Sequence, residues 1–206
     1  MYSTRDRYII SILMMVFILS MFPFGNMQAW DINLLRNINN GRNVAMDGFF
    51  RMITDSAAPV AIFVPVALFL SAFLFKDKLT GQIAVYSALT FLVTCIIDTG
   101  IKHMINKPRP FVTYNFIEKI TSGGSPSFPS GHTTDAFVTA AVLSLAFRKW
   151  YVVVPVYAWA LLVAYSRMDL GVHYPSDVLA GMCLGTVLAF IGYRLWHSRI
   201  FIIKEL

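Results

Sequence analysis

Residues 57–75 read AAPVAIFVPVALFLSAFLF, a run of 19 residues with no charged side chain and a single polar one, Ser71. As an α-helix rising about 1.5 Å per residue, this run would be about 28 Å long, which matches the hydrocarbon core of a bilayer. Five other apolar runs have a similar length: residues 8–25, 82–101, 133–147, 150–165 and 177–196. The sequence therefore predicts an all-α fold, a bundle of six transmembrane helices.

The amino-acid composition excludes an ordinary soluble domain, a disordered chain and a coiled coil. Hydrophobic residues make up 57% of the 206 residues and charged residues only 14%, whereas soluble domains average about 45–50% and about 25%. The net charge is +6, but the basic residues stand singly at the ends of apolar runs and form no stripe. We therefore expect membrane lipid, and no nucleic acid, as the partner of this chain.

The N-terminal part of the chain allows more than one interpretation. Residues 8–25 follow two arginines, as in a secretory signal peptide, but the minus-three position of the candidate cleavage site is Met27, which is not a small residue. We favour a retained helix. Residues 26–56 fit either an amphipathic segment at the membrane interface or a polar connecting loop, because Asn37, Asn39 and Gly41 interrupt the apolar pattern.

The distribution of basic residues predicts an orientation. Six crossings place both termini on one face, together with the connections at residues 76–78 and 148–149. That face carries nine of the 17 Lys and Arg residues but only three of the 11 acidic residues. Because Lys and Arg favour the cytoplasmic side, we expect cytoplasmic termini, with the opposite helix ends on the extracytoplasmic face.

Polar side chains concentrate at that extracytoplasmic face, where they flank four of the predicted helices and lie in a loop at about residues 102–132. Ionisable groups at membrane depth are costly, so such a group of them indicates a functional site. We interpret residues 1–206 as one domain built around this site. The candidate site residues are Lys102, Arg109, Ser130, Gly131, His132, Arg167, His173 and Asp177.

Three of these residues are cations that suit a phosphate group. Arg109 and Arg167 carry forked guanidinium groups that bind pairs of oxygens, and Lys102 adds a point charge. Ser130 and Gly131 open an apolar helix, where glycine permits close backbone approach and the first N–H groups face an anion. Taken alone, this short motif is more typical of a turn and helix cap. Together with the three cations it predicts a phosphate site.

Two histidines add the means to react with that phosphate. Asp177 follows His173 by four residues, a spacing at which a carboxylate can fix the imidazole tautomer and strengthen the other nitrogen as a nucleophile. His132, on a different helix end, is placed to protonate a leaving oxygen and then to activate water. A metal site would need a third ligand, and three nearby cations would repel the ion, so we expect neither metal nor cofactor.

The spacing of these residues resembles that of the type-2 phosphatidic acid phosphatase superfamily of membrane lipid phosphatases. The family pattern has three parts, and the chain carries each of them: Lys102 with six residues to Arg109-Pro110, then Pro129-Ser130-Gly131-His132, then Ser166-Arg167 with five residues to His173 and three more to Asp177. With the predicted helix layout, the resemblance extends over nearly the whole chain.

The resemblance implies a role for each matching residue. His173 would attack phosphorus to form a phosphohistidine, Asp177 would orient it, and His132 would protonate the leaving oxygen. The phosphate oxygens would be held by Lys102, Arg109, Arg167, Ser130 and the backbone of Gly131. The residue types alone leave the choice of nucleophile open, although Asp177 favours His173, and it is the family that selects His173.

The implied substrates are lipid phosphomonoesters or diphosphates in the plasma or inner membrane of a bacterium, because the compact chain is similar to bacterial members of the family. We favour a polyprenyl (undecaprenyl) diphosphate or phosphatidylglycerol phosphate over phosphatidic acid and lipid A. The alternatives are a lipid phosphotransferase and, more remotely, a non-catalytic lipid-phosphate binding protein. A homodimer is compatible with the GxxxG motif of Gly181 and Gly185. Asp98, one turn before Lys102, is expected to offset its buried charge, and no disulfide is expected between Cys95 and Cys183.

Overall fold

The computed structural model describes residues 27–124 and 126–204. This part of the chain is helical and contains no β-strand, which confirms the all-α class. The helices are α1 (Met27–Asn40), α2 (Asp47–Asp55), α3 (Ala57–Phe75), α4 (Lys78–Ile105), α5 (Pro110–Thr113), α6 (Gly131–Phe147), α7 (Trp150–Asp169) and α8 (Pro175–Lys204), with a 3-10 turn (Val44–Met46) between α1 and α2.

Four helical stretches of the described residues are long and apolar enough to cross a membrane: Val44–Phe75, Lys78–Thr113, Trp150–Asp169 and Pro175–Ser198. They contain four of the predicted spans. Large apolar side chains such as Phe63, Phe73, Leu89 and Ile96 are exposed on α3 and α4. Faces of this kind are typical of helices in contact with lipid tails.

The predicted count of six spans is not confirmed. Residues 8–25, the predicted first span, lie outside the described residues. The predicted fourth span is α6, which has only 17 residues where a bilayer crossing usually takes about 20. Helix α6 is also central in the fold, since it packs against α3, α4, α7 and α8. Protein surrounds it, so it carries threonines where a lipid-facing helix would need apolar residues.

Small residues bring α6 and α8 into close contact. A β-carbon added to Gly185 of α8 would lie 2.6 Å from the Thr134 carbonyl oxygen and 2.7 Å from the Val138 nitrogen of α6, and one added to Gly181 would lie 2.8 Å from the Ser130 carbonyl oxygen. The GxxxG motif is therefore used within the chain and gives no support to a homodimer. Cys95 and Cys183 are both free, as expected.

The segment before α3 is helical, so its interpretation as a polar loop is wrong. Leu35 of α1 is fully buried with Ile117 and Tyr174. Asn39, expected to break the pattern, is fully buried as well. Its Nδ2 donates to the Asp169 carbonyl at 3.0 Å, and its Oδ1 accepts from the Glu118 nitrogen at 2.9 Å. The asparagine thus ties the loop after α5 to the end of α7.

Candidate active site

The candidate residues meet at one end of the bundle, although they come from distant parts of the sequence. Lys102 lies near the end of α4, Ser130 just before α6, Arg167 near the end of α7, and Asp177 in the first turn of α8. Nearly all of them are withdrawn from solvent: Lys102 and Arg109 are 9% and 7% exposed, Arg167 and His173 are 1% exposed, and Ser130 and Asp177 are fully buried. The predicted convergence of polar groups therefore exists.

The contacts of His173 select one of its two tautomers. Arg109 Nη1 lies 3.2 Å from His173 Nε2, and a guanidinium can only donate, so Nε2 must carry the lone pair. The proton then resides on Nδ1, which faces Asp177 Oδ2 at 3.5 Å. This distance is long for a hydrogen bond but short enough for an electrostatic contact. The nitrogen that carries the lone pair, and can act as a nucleophile when a phosphate takes the place of this contact with Arg109, is thus Nε2.

The imidazole of His173 is held in its neutral form. Burial, together with the charges of Arg167 and Arg109, lowers the pKa of His173 from its ordinary 6.5 to about 3, against the opposing effect of Asp177. Between these two pKa values the unfolded chain binds a proton that the folded chain does not. Acidification below pH 6.5 therefore costs folding free energy at this residue, while the folded protein keeps a nucleophilic nitrogen at neutral pH.

This tautomer leads to a spectroscopic prediction. In a ¹⁵N NMR titration of the detergent-solubilised protein from pH 8 to pH 5, the His173 signals are expected to stay those of a neutral ring protonated at Nδ1. The difference spectrum against His173→Asn assigns them. A protonation midpoint near 6.5, or a proton on Nε2, would contradict the geometry.

Two of the three cations, Lys102 and Arg167, retain hydrogen-bonding capacity. Lys102 Nζ contacts Asp98 Oδ2 at 2.9 Å, which confirms the expected pairing, and donates to the Pro129 carbonyl. An ammonium has three donors, so one is left for a ligand. Arg167 donates from Nη1 to Thr54 Oγ1 at 2.7 Å, while its buried Nε has no partner among the described residues. A buried cation with a spare N–H group suits an anion.

The start of α6 lies directly against Lys102 and Asp98. A β-carbon on Gly131 would lie 3.6 Å from Lys102 Nζ and 3.4 Å from Asp98 Oδ2. Ser130 makes no capping bond from its side chain. Its backbone N–H donates to the Asp177 carbonyl at 3.0 Å, and its Oγ accepts from Thr133 at 2.9 Å. The hydroxyl is therefore not used as a helix cap, the role that this motif taken alone would suggest.

His132 is the second residue of α6 and is half-buried. The charges of Arg167, Arg109 and Lys102 all act on its ring, so it belongs to the same cationic cluster as His173. Within residues 27–124 and 126–204, no group of three or more His, Cys, Asp or Glu side chains is arranged to hold a metal ion.

The structure adds residues that the sequence analysis missed. Lys107, Ser127 and Asp31 surround Asp177 and its neighbour Ser176, and Thr54 holds Arg167. Lys107 lies between Lys102 and Arg109 in the sequence, and only this position could have indicated that it belongs to the site. Asp31 and Thr54 come from the segment before α3 and are more than 70 residues from each of the partners named here, so no local pattern identifies them.

The Thr54 contact can be tested by removing one hydroxyl. Thr54→Val is expected to lower kcat/KM about tenfold, because Arg167 loses a partner while the volume of the side chain is kept. Thr139→Val is the matched control, since the Thr139 hydroxyl only donates to the Asp135 carbonyl of its own helix at 2.7 Å. Equal phosphatase rates for the two variants, measured on a lipid phosphate, would show that Thr54 does not support Arg167.

Comparison with known proteins gives consistent relatives. The chain is 29% identical to the undecaprenyl-diphosphatase BcrC of Bacillus subtilis over 74% of this chain and 76% of that protein. It is 28% identical to the undecaprenyl-diphosphatase of Sulfolobus acidocaldarius over 93% and 92%. Other relatives are named lipid A 4'-phosphatase and phosphatidylglycerophosphatase B. The relatives are thus lipid phosphatases.

The fold has a solved counterpart in the transmembrane PAP2-type phosphatidylglycerolphosphate phosphatase of Bacillus subtilis. The TM-score is 0.70 at 23% identity, over 91% of this chain and 94% of that one. With four apolar spans of its own, the chain is an integral membrane protein. The family model of the PAP2 superfamily matches residues 79–201, more than half of the chain and the whole stretch from Lys102 to Asp177. The chain therefore belongs to the PAP2 superfamily.

Proposed function

We propose that this protein is a membrane lipid phosphatase that hydrolyses a lipid phosphomonoester or diphosphate through a phosphohistidine on His173. The observation that carries the proposal is the position of His173 Nε2, a buried lone pair 3.2 Å from the Arg109 guanidinium, with Asp177 behind the ring. A neutral nucleophile beside cations suits attack on an electron-rich phosphoryl group, whose charge the cations offset.

The first step transfers the phosphoryl group to the protein. Nε2 of His173 attacks phosphorus, the bond from phosphorus to the lipid oxygen breaks, and the leaving oxygen takes a proton from His132. For a diphosphate, that oxygen belongs to a lipid monophosphate. Asp177 offsets the positive charge that the ring gains when it is phosphorylated. The bound phosphate in turn offsets the three cations that act on His132, which favours the protonated form that this step needs.

The second step returns the protein to its starting state. Neutral His132 accepts a proton from water as the water oxygen attacks phosphorus. The N–P bond breaks, its electron pair returns to Nε2, and inorganic phosphate leaves. Lys102, Arg109 and Arg167 hold the phosphoryl oxygens through both steps, with Ser130 and the Gly131 backbone. No step requires a metal ion.

The names of the relatives support a lipid substrate and favour a polyprenyl diphosphate or phosphatidylglycerol phosphate. A site at the end of a membrane bundle selects such molecules, since the tail stays in lipid while the phosphate reaches the cations. Lipid A is an alternative substrate, and a lipid hydroxyl in place of water would make the protein a phosphotransferase. A binding protein without turnover is the remote alternative, because binding alone needs neither His173 nor His132.

We further propose six membrane spans, made of the four apolar stretches, α6 and residues 8–25. In this arrangement both termini are cytoplasmic and the site faces outward from a bacterial plasma membrane. The excess of basic residues at the ends of the bundle remote from the site supports this orientation. Residues 1–206 then form one domain, with residues 26–56 beside the membrane interface.

The test is phosphate release by the detergent-purified protein in EDTA, with polyprenyl diphosphate, phosphatidylglycerol phosphate, phosphatidic acid and lipid A as four separate substrates. Metal-free turnover of at least one lipid is expected. Labelled phosphate recovered on an added lipid alcohol would indicate the phosphotransferase instead. Binding of these lipids without release or transfer of phosphate would indicate a lipid-phosphate binding protein instead of an enzyme.

A further inference from the structure

Lys107 is the basic residue of the site that the phosphate chemistry does not use. It follows α4, and 27% of its side chain is exposed. Its Nζ lies 2.8 Å from Asp177 Oδ1, 3.0 Å from Ser176 Oγ and 3.3 Å from Asp31 Oδ2. Since an ammonium group has three N–H donors, these acceptors occupy all of them. Unlike Lys102, Lys107 has no donor left for a substrate phosphate.

Asp31 holds Lys107 from the N-terminal side of the fold. This carboxylate is 4% exposed, and it accepts from the Ser176 nitrogen at 2.8 Å and from the Ser176 hydroxyl. The oxygen that accepts from the Ser176 hydroxyl, Oδ2, also contacts Lys107 Nζ. Helix α1 is therefore bound to the first turn of α8 by the hydrogen bonds from Ser176 to Asp31, and to the residues after α4 by the ion pair of Asp31 with Lys107.

The contacts of Asp177 show what Lys107 contributes. One oxygen, Oδ1, accepts from Lys107. The other, Oδ2, accepts from the Ser127 hydroxyl and from the Tyr174 nitrogen, and faces His173 Nδ1. A carboxylate can rotate about its bond to the β-carbon, and rotation here would exchange the two oxygens or turn both away from the ring. Lys107 fixes one oxygen and so directs the other towards His173.

We propose that Lys107, anchored by Asp31 of α1, is a positioning residue that sets the orientation of the Asp177 carboxylate and, through it, the His173 ring. Lys107 touches neither the phosphate nor His173 itself. The residues before α3 thereby become part of the catalytic apparatus, although they lie outside the matched family segment. The inference rests on the proposed phosphatase reaction, in which Asp177 serves the nucleophile.

The proposal predicts a separation of kcat from KM. Lys107→Met keeps the length of the side chain but removes the charge and all three donors, so kcat is expected to fall about 100-fold with KM within about threefold of wild type. Lys107→Arg restores a cation with several donors, and kcat is expected to recover to within about tenfold of wild type. Lys119→Met is the matched control, because Lys119 Nζ lies over the Phe111 ring, 4.6 Å from its centroid, and outside the network.

The variant Asp31→Asn tests the proposal independently of Lys107→Met. The amide oxygen still accepts from the Ser176 nitrogen, but the acceptor for Lys107 is lost, and kcat is expected to fall about tenfold. In Asp31→Asn/Lys107→Met, kcat is expected to match that of Lys107→Met alone, because Asp31 acts through Lys107. Thermal midpoints and gel filtration in the same detergent establish equal folded fractions, so that a loss of structure is not counted as a loss of rate.

Each result decides between defined alternatives. A KM that rises as much as kcat falls in Lys107→Met would make Lys107 a phosphate ligand and overturn the proposal, as would wild-type kcat in that variant. If Lys107→Met fails to fold, a wild-type kcat in Asp31→Asn would overturn it, and so would the absence of recovery in a folded Lys107→Arg. An inactive wild-type protein on all four lipids would contradict the phosphatase itself.

Discussion

His173→Ala is expected to reduce phosphate release at least about 1,000-fold, because the variant lacks the proposed nucleophilic nitrogen and His132 is engaged as the acid and base of the reaction. The side chain is buried beside Arg109, so no solvent water can occupy the same position with the same basicity. The measurement is the steady-state rate on the preferred lipid in EDTA, with the protein concentration corrected for the folded fraction.

His132→Ala distinguishes the roles of the two histidines, because His132 donates a proton in the first step and accepts one in the second, whereas the lone pair of His173 attacks phosphorus in the first. The steady-state rate is expected to fall at least about 100-fold. With a substrate whose leaving group needs no proton, His132→Ala should still form a labelled phosphoenzyme that is stable in base and labile in acid. His173→Ala should form none. Label retained in His173→Ala would move the nucleophile to another residue.

Gly185→Val is expected to destroy the fold or to destabilise it by more than about 3 kcal/mol, because the new side chain would overlap backbone atoms of α6. The nearest atom, the Thr134 carbonyl oxygen, would lie 2.6 Å from the added β-carbon, and a backbone atom cannot rotate aside. The helices would have to separate, and with them the Ser130 and Asp177 ends of the site. The loss is measured as the fall in thermal midpoint and in the yield of monodisperse protein.

Gly100→Ala is the matched control for this prediction. Gly100 lies inside α4, and a β-carbon there would meet no atom within 4 Å. The substitution is expected to leave the thermal midpoint unchanged or to raise it slightly, because alanine favours a helix over glycine by up to about 1 kcal/mol. A Gly185→Val protein as stable as Gly100→Ala would show that α6 and α8 do not pack as closely as described.

The membrane character and the members of the polar cluster could be predicted from the sequence because both are carried by local patterns. The apolar run at residues 57–75 has a length fixed by the bilayer, and Lys102, His132 and His173 each stand in a short motif. The pairing of Asp98 with Lys102 also follows from a four-residue helical spacing. In each case the partners are neighbours in sequence or the constraint comes from the membrane.

Prediction from the sequence is weakest where the surroundings of a segment decide its properties. Helix α6 has the hydrophobicity of a possible span, but its enclosure by four other helices follows only from the packing. Asn39 breaks an apolar pattern in the sequence, yet in the fold it forms three backbone hydrogen bonds that tie two distant segments together. Residue type alone does not indicate whether such a side chain meets water or a carbonyl group.

The sequence by itself determined that this chain is a helical membrane protein, and it predicted a cluster of cations with two histidines, because the length of apolar runs and the spacing of motifs can be read directly along the chain. Only the tertiary structure decided that Nε2 of His173 carries the lone pair, that Thr54 contacts Arg167, and that Lys107 contacts both Asp177 and Asp31. The reason is that hydrogen bonds are set by atomic distances and directions, and the bonds of Asp31 with Ser176 and of Thr54 with Arg167 join residues more than 100 positions apart.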